Sequence, residues 1–87
     1  MARQSRSDDQ RALGASLVGV LVSARLGPPE RTQAAIASEA NVPLDTLRKL
    51  EHRPPADPGF FLVARLARVL GLSLDRLANE MVRHADR

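Results

Sequence analysis

All six prolines of this chain fall in three short stretches, Pro28-Pro29, Pro43 and Pro54-Pro55 with Pro58, and this spacing sets where regular elements stop. A proline inside a helix removes a backbone donor and clashes with the preceding turn, and inside a sheet it removes a ladder bond, so elements must end at each stretch. Between the stops, the apolar residues recur at helical spacing and no segment alternates in the two-residue period of a strand. The chain is therefore expected to fold as five helices with short connections, an all-α domain.

The first helix is expected over residues 8–26. Ser7 opens "SDDQ", where a serine cap faces Gln10 three residues on and Asp8 and Asp9 meet the positive end of the helix dipole. Leu13, Leu17, Val20 or Leu21, and Ala24 follow at helical spacing, and Gly27 with the two prolines ends the element. Thr32 caps a second helix over 33–40, with Ile36, Ala37 and Ala40 inward. Asn41 tolerates a left-handed backbone and turns the chain, and Pro43 suits the first turn of a third helix running from Leu44 to about His52. "RPPADPGF" is a loop in which Asp57 and Pro58 signal the start of a fourth helix, with Phe60, Val63, Ala64, Ala67 and Leu70 on one face and Gly71 as its stop. Ser73 caps a fifth helix that turns Leu74, Leu77 and Met81 inward.

At 87 residues, one domain is expected, over 8–84, preceded by a basic and disordered tail over 1–7. Only Phe60 and Phe61 are aromatic, so they are expected as the largest pieces of a core otherwise built from Leu, Val, Ile and Ala. The absence of cysteine excludes disulfide and thiolate chemistry, and with only His52 and His84 no dense zinc cluster can form. No metal and no cofactor is expected. The apolar run from Leu13 to Leu26 is short of a bilayer span and interrupted by Gly14 and Gly19, and no secretory signal is recognised, so a soluble, cytoplasmic protein with no membrane partner is expected. The formal charge is +3, and twelve of the thirteen basic residues are arginine, a balance compatible with a polyanionic partner.

Two small helices joined by a tight turn, the first buried and the second half exposed, have the form of a helix-turn-helix, whose second helix is shaped for a DNA major groove. The stretch "TQAAIASEANVPLDTLRKLE", a following loop with prolines, and a helix leading to "LARVLGLSLDRL" resemble the Cro and lambda-repressor (XRE) family over residues 32–77. Gln33, Ala37, Val42, Leu47 and Glu51 fall at that family's spacing. The resemblance implies a five-helix lambda-repressor-like DNA-binding fold that works as a transcriptional regulator on double-stranded operator DNA. By the same resemblance Leu44, Asp45 and Lys49 match base-contacting positions, and Gln33 matches a phosphate-binding glutamine.

The chemistry of these side chains agrees with those roles. Lys49 can donate to guanine O6 or N7, Asp45 can accept from cytosine N4, and Leu44 can touch a thymine methyl. Thr32 and Gln33 at a helix N-terminus, with Arg48 and Arg53, are the candidates for phosphate contact. The chain departs from the family at Asn41, where a turn glycine is usual, at Pro43, where Ser or Thr precedes the recognition helix, and in the longer loop "GPPERTQ". Ser23 stands where an arginine often pairs with the glutamate at Glu51, with Arg25 as a possible substitute.

Each reading has a plainer rival. Asp45, Arg48 and Lys49 can form a solvated charged face, Gln33 can cap the second helix, and "MARQSRS" can be an ordinary tail where a minor-groove arm is the other option. Glu51 reads as a structural carboxylate in need of an arginine. His52 and His84 lack any neighbouring catalytic partner in sequence. The first helix carries Val18, Leu21 and Val22 besides its expected core residues, so apolar groups wrap most of its circumference. A homodimer is expected to cover that spare face, together with Met81 and Val82. Two alternatives to a dimeric regulator are an antitoxin whose second surface neutralises a toxin protein, and a protein-interaction module that has lost DNA contact. An enzyme is the least supported class, for want of a nucleophile-base pair, a Gly-rich phosphate loop or a metal cluster.

Overall fold

The computed structural model of the chain describes residues 6–55 and 58–85, and all of its regular structure is helical. The elements are α1 (Arg6–Leu26), α2 (Gln33–Ala40), α3 (Leu44–His52), α4 (Phe60–Leu70) and α5 (Leu74–Ala85). No strand occurs among the described residues. None of the described helices is long and apolar enough to cross a membrane.

The local signals act largely where the residues place them. The Thr32 hydroxyl accepts from the Ala35 amide at 3.1 Å and the Ser73 hydroxyl from the Arg76 amide at 3.1 Å, so each occupies an otherwise orphaned first-turn donor. Asn41 adopts the left-handed region at φ 57°, and the Val42 amide returns to the Ala37 carbonyl at 2.9 Å. Gly71 repeats this geometry at φ 76°, with the Leu72 amide on the Ala67 carbonyl at 2.8 Å. Both α2 and α4 thus end in the same six-to-one cap, in which a residue with φ above zero lets the chain reverse while the last carbonyls remain paired.

The starts of two helices differ from expectation. α1 begins at Arg6, ahead of the expected Ser7 cap, so Ser7 falls within the helix. α4 begins at Phe60 with Gly59 in the cap position and no side-chain cap bond, so Pro58 precedes the helix and does not open it. The cap expected at Asp57, and residues 1–5 of the tail expected over 1–7, lie outside the described residues, while residues 6 and 7 of that tail belong to α1.

α1 packs chiefly on α5, and also on α4 and α3, while α2 is held between α3 and α4. The core joins Val18, Val20 and Leu21 of α1, Ile36, Ala37 and Ala40 of α2, Leu47 and Leu50 of α3, Val63, Leu66 and Ala67 of α4, and Leu77 of α5. Ile36 and Leu66 are its largest fully buried side chains. Small residues let α1 and α5 approach: the Ser16 hydroxyl donates to the Met81 carbonyl, and the His84 imidazole lies over Gly19, where an added Cβ would meet it at 3.5 Å. His84 is accordingly a half-buried member of α5.

Three core expectations fail. Phe60 and Phe61 are 63% and 79% exposed. They meet each other edge to face, with centroids 5.8 Å apart, and are not the largest pieces of the core. Leu74 is also exposed. Phe60 and Leu74 are each the first residue of a helix, and a helical side chain leans toward the N-terminus, so both project past the end of the packed layer. Leu13 is exposed because the first turns of α1 extend beyond the bundle, with burial beginning at Gly14.

The face of α1 that carries Val18, Leu21 and Val22 is covered by the domain itself, while Leu13 and Leu26 remain exposed. Val18 and Leu21 are 2% and 4% exposed and Val22 packs against the same core, so the face expected to meet a second chain is occupied from within. Of that expected set, only Val82 is exposed, at 52%, with Met81 half-buried.

Candidate nucleic-acid interface

α3 is a nine-residue helix with a sharply divided surface. Leu47 and Leu50 enter the core, and Asp45, Arg48, Lys49 and His52 are exposed. Pro43 occupies the cap position of α3 and not its first turn, with φ −59° and no side-chain cap bond, while its carbonyl accepts from the Leu47 amide. The amides of Leu44 to Thr46 at this end therefore lack the side-chain acceptor that Ser or Thr would supply.

What fixes the orientation of α3 is a polar clamp at its opposite end. Glu51 receives a fork from Arg25 of α1, Nε to Oε2 at 2.9 Å and Nη2 to Oε1 at 2.8 Å. Gln33, at the start of α2, donates through Nε2 to Oε1 at 2.9 Å. The third arm of the same guanidinium, Nη1, donates to the Arg31 carbonyl at 2.9 Å. With the Arg25 and Glu51 side chains only 13% and 12% exposed, the bonds act in a poorly hydrated setting where a planar two-point fork is favoured. No buried side-chain donor or acceptor among the described residues is left without a partner. Arg25 thereby takes the place that Ser23 leaves open.

The clamp changes the role of Gln33. Its amide nitrogen donates to Glu51, so the residue ties α3 to α2 and keeps one further N–H; the cap of α2 is the Thr32 hydroxyl. Leu44 is half-buried and packed against the core, with the remaining part of its side chain exposed beside Asp45.

The remaining candidates do share one exposed face. Lys49 Nζ meets Asp45 Oδ2 at 3.1 Å one helical turn apart, with the two side chains 79% and 74% exposed. A pair so exposed contributes only about 0.3 to 0.5 kcal/mol, so another partner can displace either end. Arg48 and Arg53 are exposed and form no ion pair among the described residues. The outer face of α3 with Arg53 thus carries three cations against one carboxylate. Lys49 is also the only lysine in the chain.

Signals for two further features were missed. Phe61, Arg65 and Arg68 are exposed on α4 at spacings of four and three, the complement of the Val63, Leu66 and Ala67 stripe. The spacing is legible in the sequence, but the hydrophobicity of an aromatic residue in so small a chain points to the core. Arg65 crosses to the turn after α2, donating from Nη1 to the Asn41 carbonyl at 3.3 Å. Beside it, Glu39, Arg65 and Arg68 line an open cleft of about 540 Å³. No group of three or more His, Asp or Glu that could hold a metal occurs among the described residues.

No family model, curated protein or solved structure matches the chain.

Proposed function

We propose that the chain is a sequence-specific regulator of transcription that binds double-stranded DNA through α3. The observation that carries this reading is the division of labour along one short helix. Leu47, Leu50 and Glu51 anchor it to the core and to α1 and α2, and Asp45, Arg48 and Lys49 are exposed on the opposite side. Base readout needs donors and acceptors held at fixed positions, and a firmly anchored helix with exposed outer side chains supplies them.

In this reading Lys49 donates to guanine and Asp45 accepts from cytosine. Arg48, Arg53 and the Thr32 hydroxyl contact phosphates, and Gln33 acts indirectly by holding Glu51. The regulator is a homodimer that places two copies of α3 in successive major grooves, about 34 Å apart. The surface for that pairing includes the exposed Val82 beside Met81, and no longer Val18 or Leu21. Such a protein acts in the cytoplasm with the DNA it controls.

Selection of bound duplexes from a random pool with the purified chain tests the reading. A palindromic consensus with half-sites one helical turn apart supports it. Failure to retain any duplex at low ionic strength overturns it. One observation favours the alternative of a protein-interaction module or toxin-binding antitoxin: the two solvent-exposed phenylalanines beside α3 are unusual on a surface that only binds DNA.

A further inference from the structure

Two apolar hollows lie end to end between α3 and α4. One, of about 290 Å³, is lined by Val42, Pro43, Thr46, Phe61, Leu62 and Arg65. The other, of about 250 Å³, continues it past Thr46 and Leu62 to Leu50 and Pro55, with Lys49 and Arg53 on its rim. Together they form one groove with an apolar floor. The Phe60–Phe61 pair extends this floor at one end, the more exposed ring standing 79% in solvent.

The charges around the groove have one sign. Arg65 stands at one hollow and Lys49 with Arg53 at the other, and no carboxylate lines either hollow among the described residues. Asp45 reaches the groove only through its exposed ion pair with Lys49, and among the described residues neither Arg53 nor Arg65 forms an ion pair, Glu39 sharing the neighbouring cleft with Arg65 outside the two hollows. An occupant that complements this surface carries apolar groups to enter the hollows and anionic groups at both of its ends. Phosphate backbone alone meets the second condition and not the first.

We propose that the groove between α3 and α4 is a docking site for an acidic amphipathic helix of another protein. Its apolar residues, one or two turns apart, would fill the two hollows, while its flanking carboxylates meet Arg65 at one end and Arg53 at the other, the helix-in-groove mode of recognition. Phe61 closes the end of the groove as the apolar anchor. This inference does not rest on DNA binding. Where both hold, they are linked, because Lys49 and Arg53 belong to the groove rim and to the outer face of α3, so an acidic partner and DNA exclude each other.

The test is a selection of random peptides displayed on phage against the full chain, in the absence of DNA. The expected peptides carry apolar residues at spacings of three or four flanked by Asp or Glu, and synthetic versions bind about tenfold more weakly to Phe61→Ala and to Arg65→Glu. Both altered residues are exposed, and circular dichroism checks that each variant stays folded. Recovery of no such peptides overturns the proposal, as does recovery of peptides that bind Phe61→Ala as well as the parent. Oligothymidylate that binds the parent and not Phe61→Ala, with no acidic peptide recovered, assigns the groove to unpaired bases and overturns it too. So does a dimer in sedimentation that dissociates on Phe61→Ala, since a second copy then fills the groove. Because no duplex is present, these outcomes are independent of whether the chain binds DNA.

Discussion

Arg25 on α1 and Glu51 on α3, 26 residues apart in sequence, are joined by two parallel hydrogen bonds of 2.9 and 2.8 Å. The pair connects the end of the longest helix to the last turn of the helix that presents the candidate interface. Gln33 and the Arg31 carbonyl complete its coordination, so four segments of the chain meet at one carboxylate and one guanidinium.

Loss of one partner leaves the other poorly hydrated and unpaired. Arg25→Ala is expected to destabilise the fold by about 2 kcal/mol, a value below that of a fully buried pair because both side chains retain some exposure. Arg25→Lys keeps the charge but cannot form the fork and should fall between. Urea denaturation of the two variants measures this, and equal stability of Arg25→Ala and the parent would show that the clamp contributes nothing.

The two phenylalanines provide the opposite case. Phe61→Ala should change stability by no more than about 0.5 kcal/mol, because so much of the ring is already in water. Leu66→Ala, at a residue 1% exposed, should cost about 2 to 5 kcal/mol through the cavity it leaves. Thermal denaturation of both variants checks the contrast. A large loss for Phe61→Ala would place that ring in the core after all.

Gly19 is a third test of packing. It lies within α1, and an added Cβ would stand 3.5 Å from the His84 ring, an ordinary contact distance. Glycine costs a helix about 1 kcal/mol relative to alanine, so the backbone gain should exceed any strain against His84. Gly19→Ala is therefore expected to raise the melting temperature by a few degrees. A lowered melting temperature would mean that α1 and α5 are packed too closely to admit a methyl group.

Much of the architecture was legible because local and global signals agree in these segments. Thr32, Asn41, Ser73 and Gly71 each act through their own backbone conformation or a neighbour three residues away, and such effects need no knowledge of the tertiary fold. The spacing of Leu47 and Leu50 likewise determines which side of α3 is buried. What was not legible depends on where helices end in space. Phe60 and Leu74 have the hydrophobicity of core residues but occupy first positions that project past the packed layer. The apolar wrap of α1 was readable, but whether α3, α4 and α5 or a second chain covers it depends on packing angles that no local pattern encodes. Gln33 shows the same limit at the site. Its place at a helix N-terminus suggests phosphate, and only the approach of Glu51 reveals its other partner.

The Asp45–Lys49 pair makes the DNA reading of α3 open to a directional test. If Lys49 reads a base, Lys49→Ala should weaken binding to the selected operator by about 1 to 3 kcal/mol while binding to random duplex changes little. Arg53→Ala should instead weaken binding to all duplexes and reduce the salt dependence by about one unit of slope, the signature of a lost phosphate contact. Asp45→Ala separates these effects further. It removes a carboxylate that repels phosphate and frees Lys49, so affinity for random duplex should rise, but it also removes the acceptor for cytosine, so the ratio of operator to random binding should fall. Fluorescence anisotropy over a range of salt concentrations measures all three variants. If Asp45→Ala raises affinity for operator and random duplex by the same factor, Asp45 reads no base, and its role is confined to restraining Lys49 on the surface of α3.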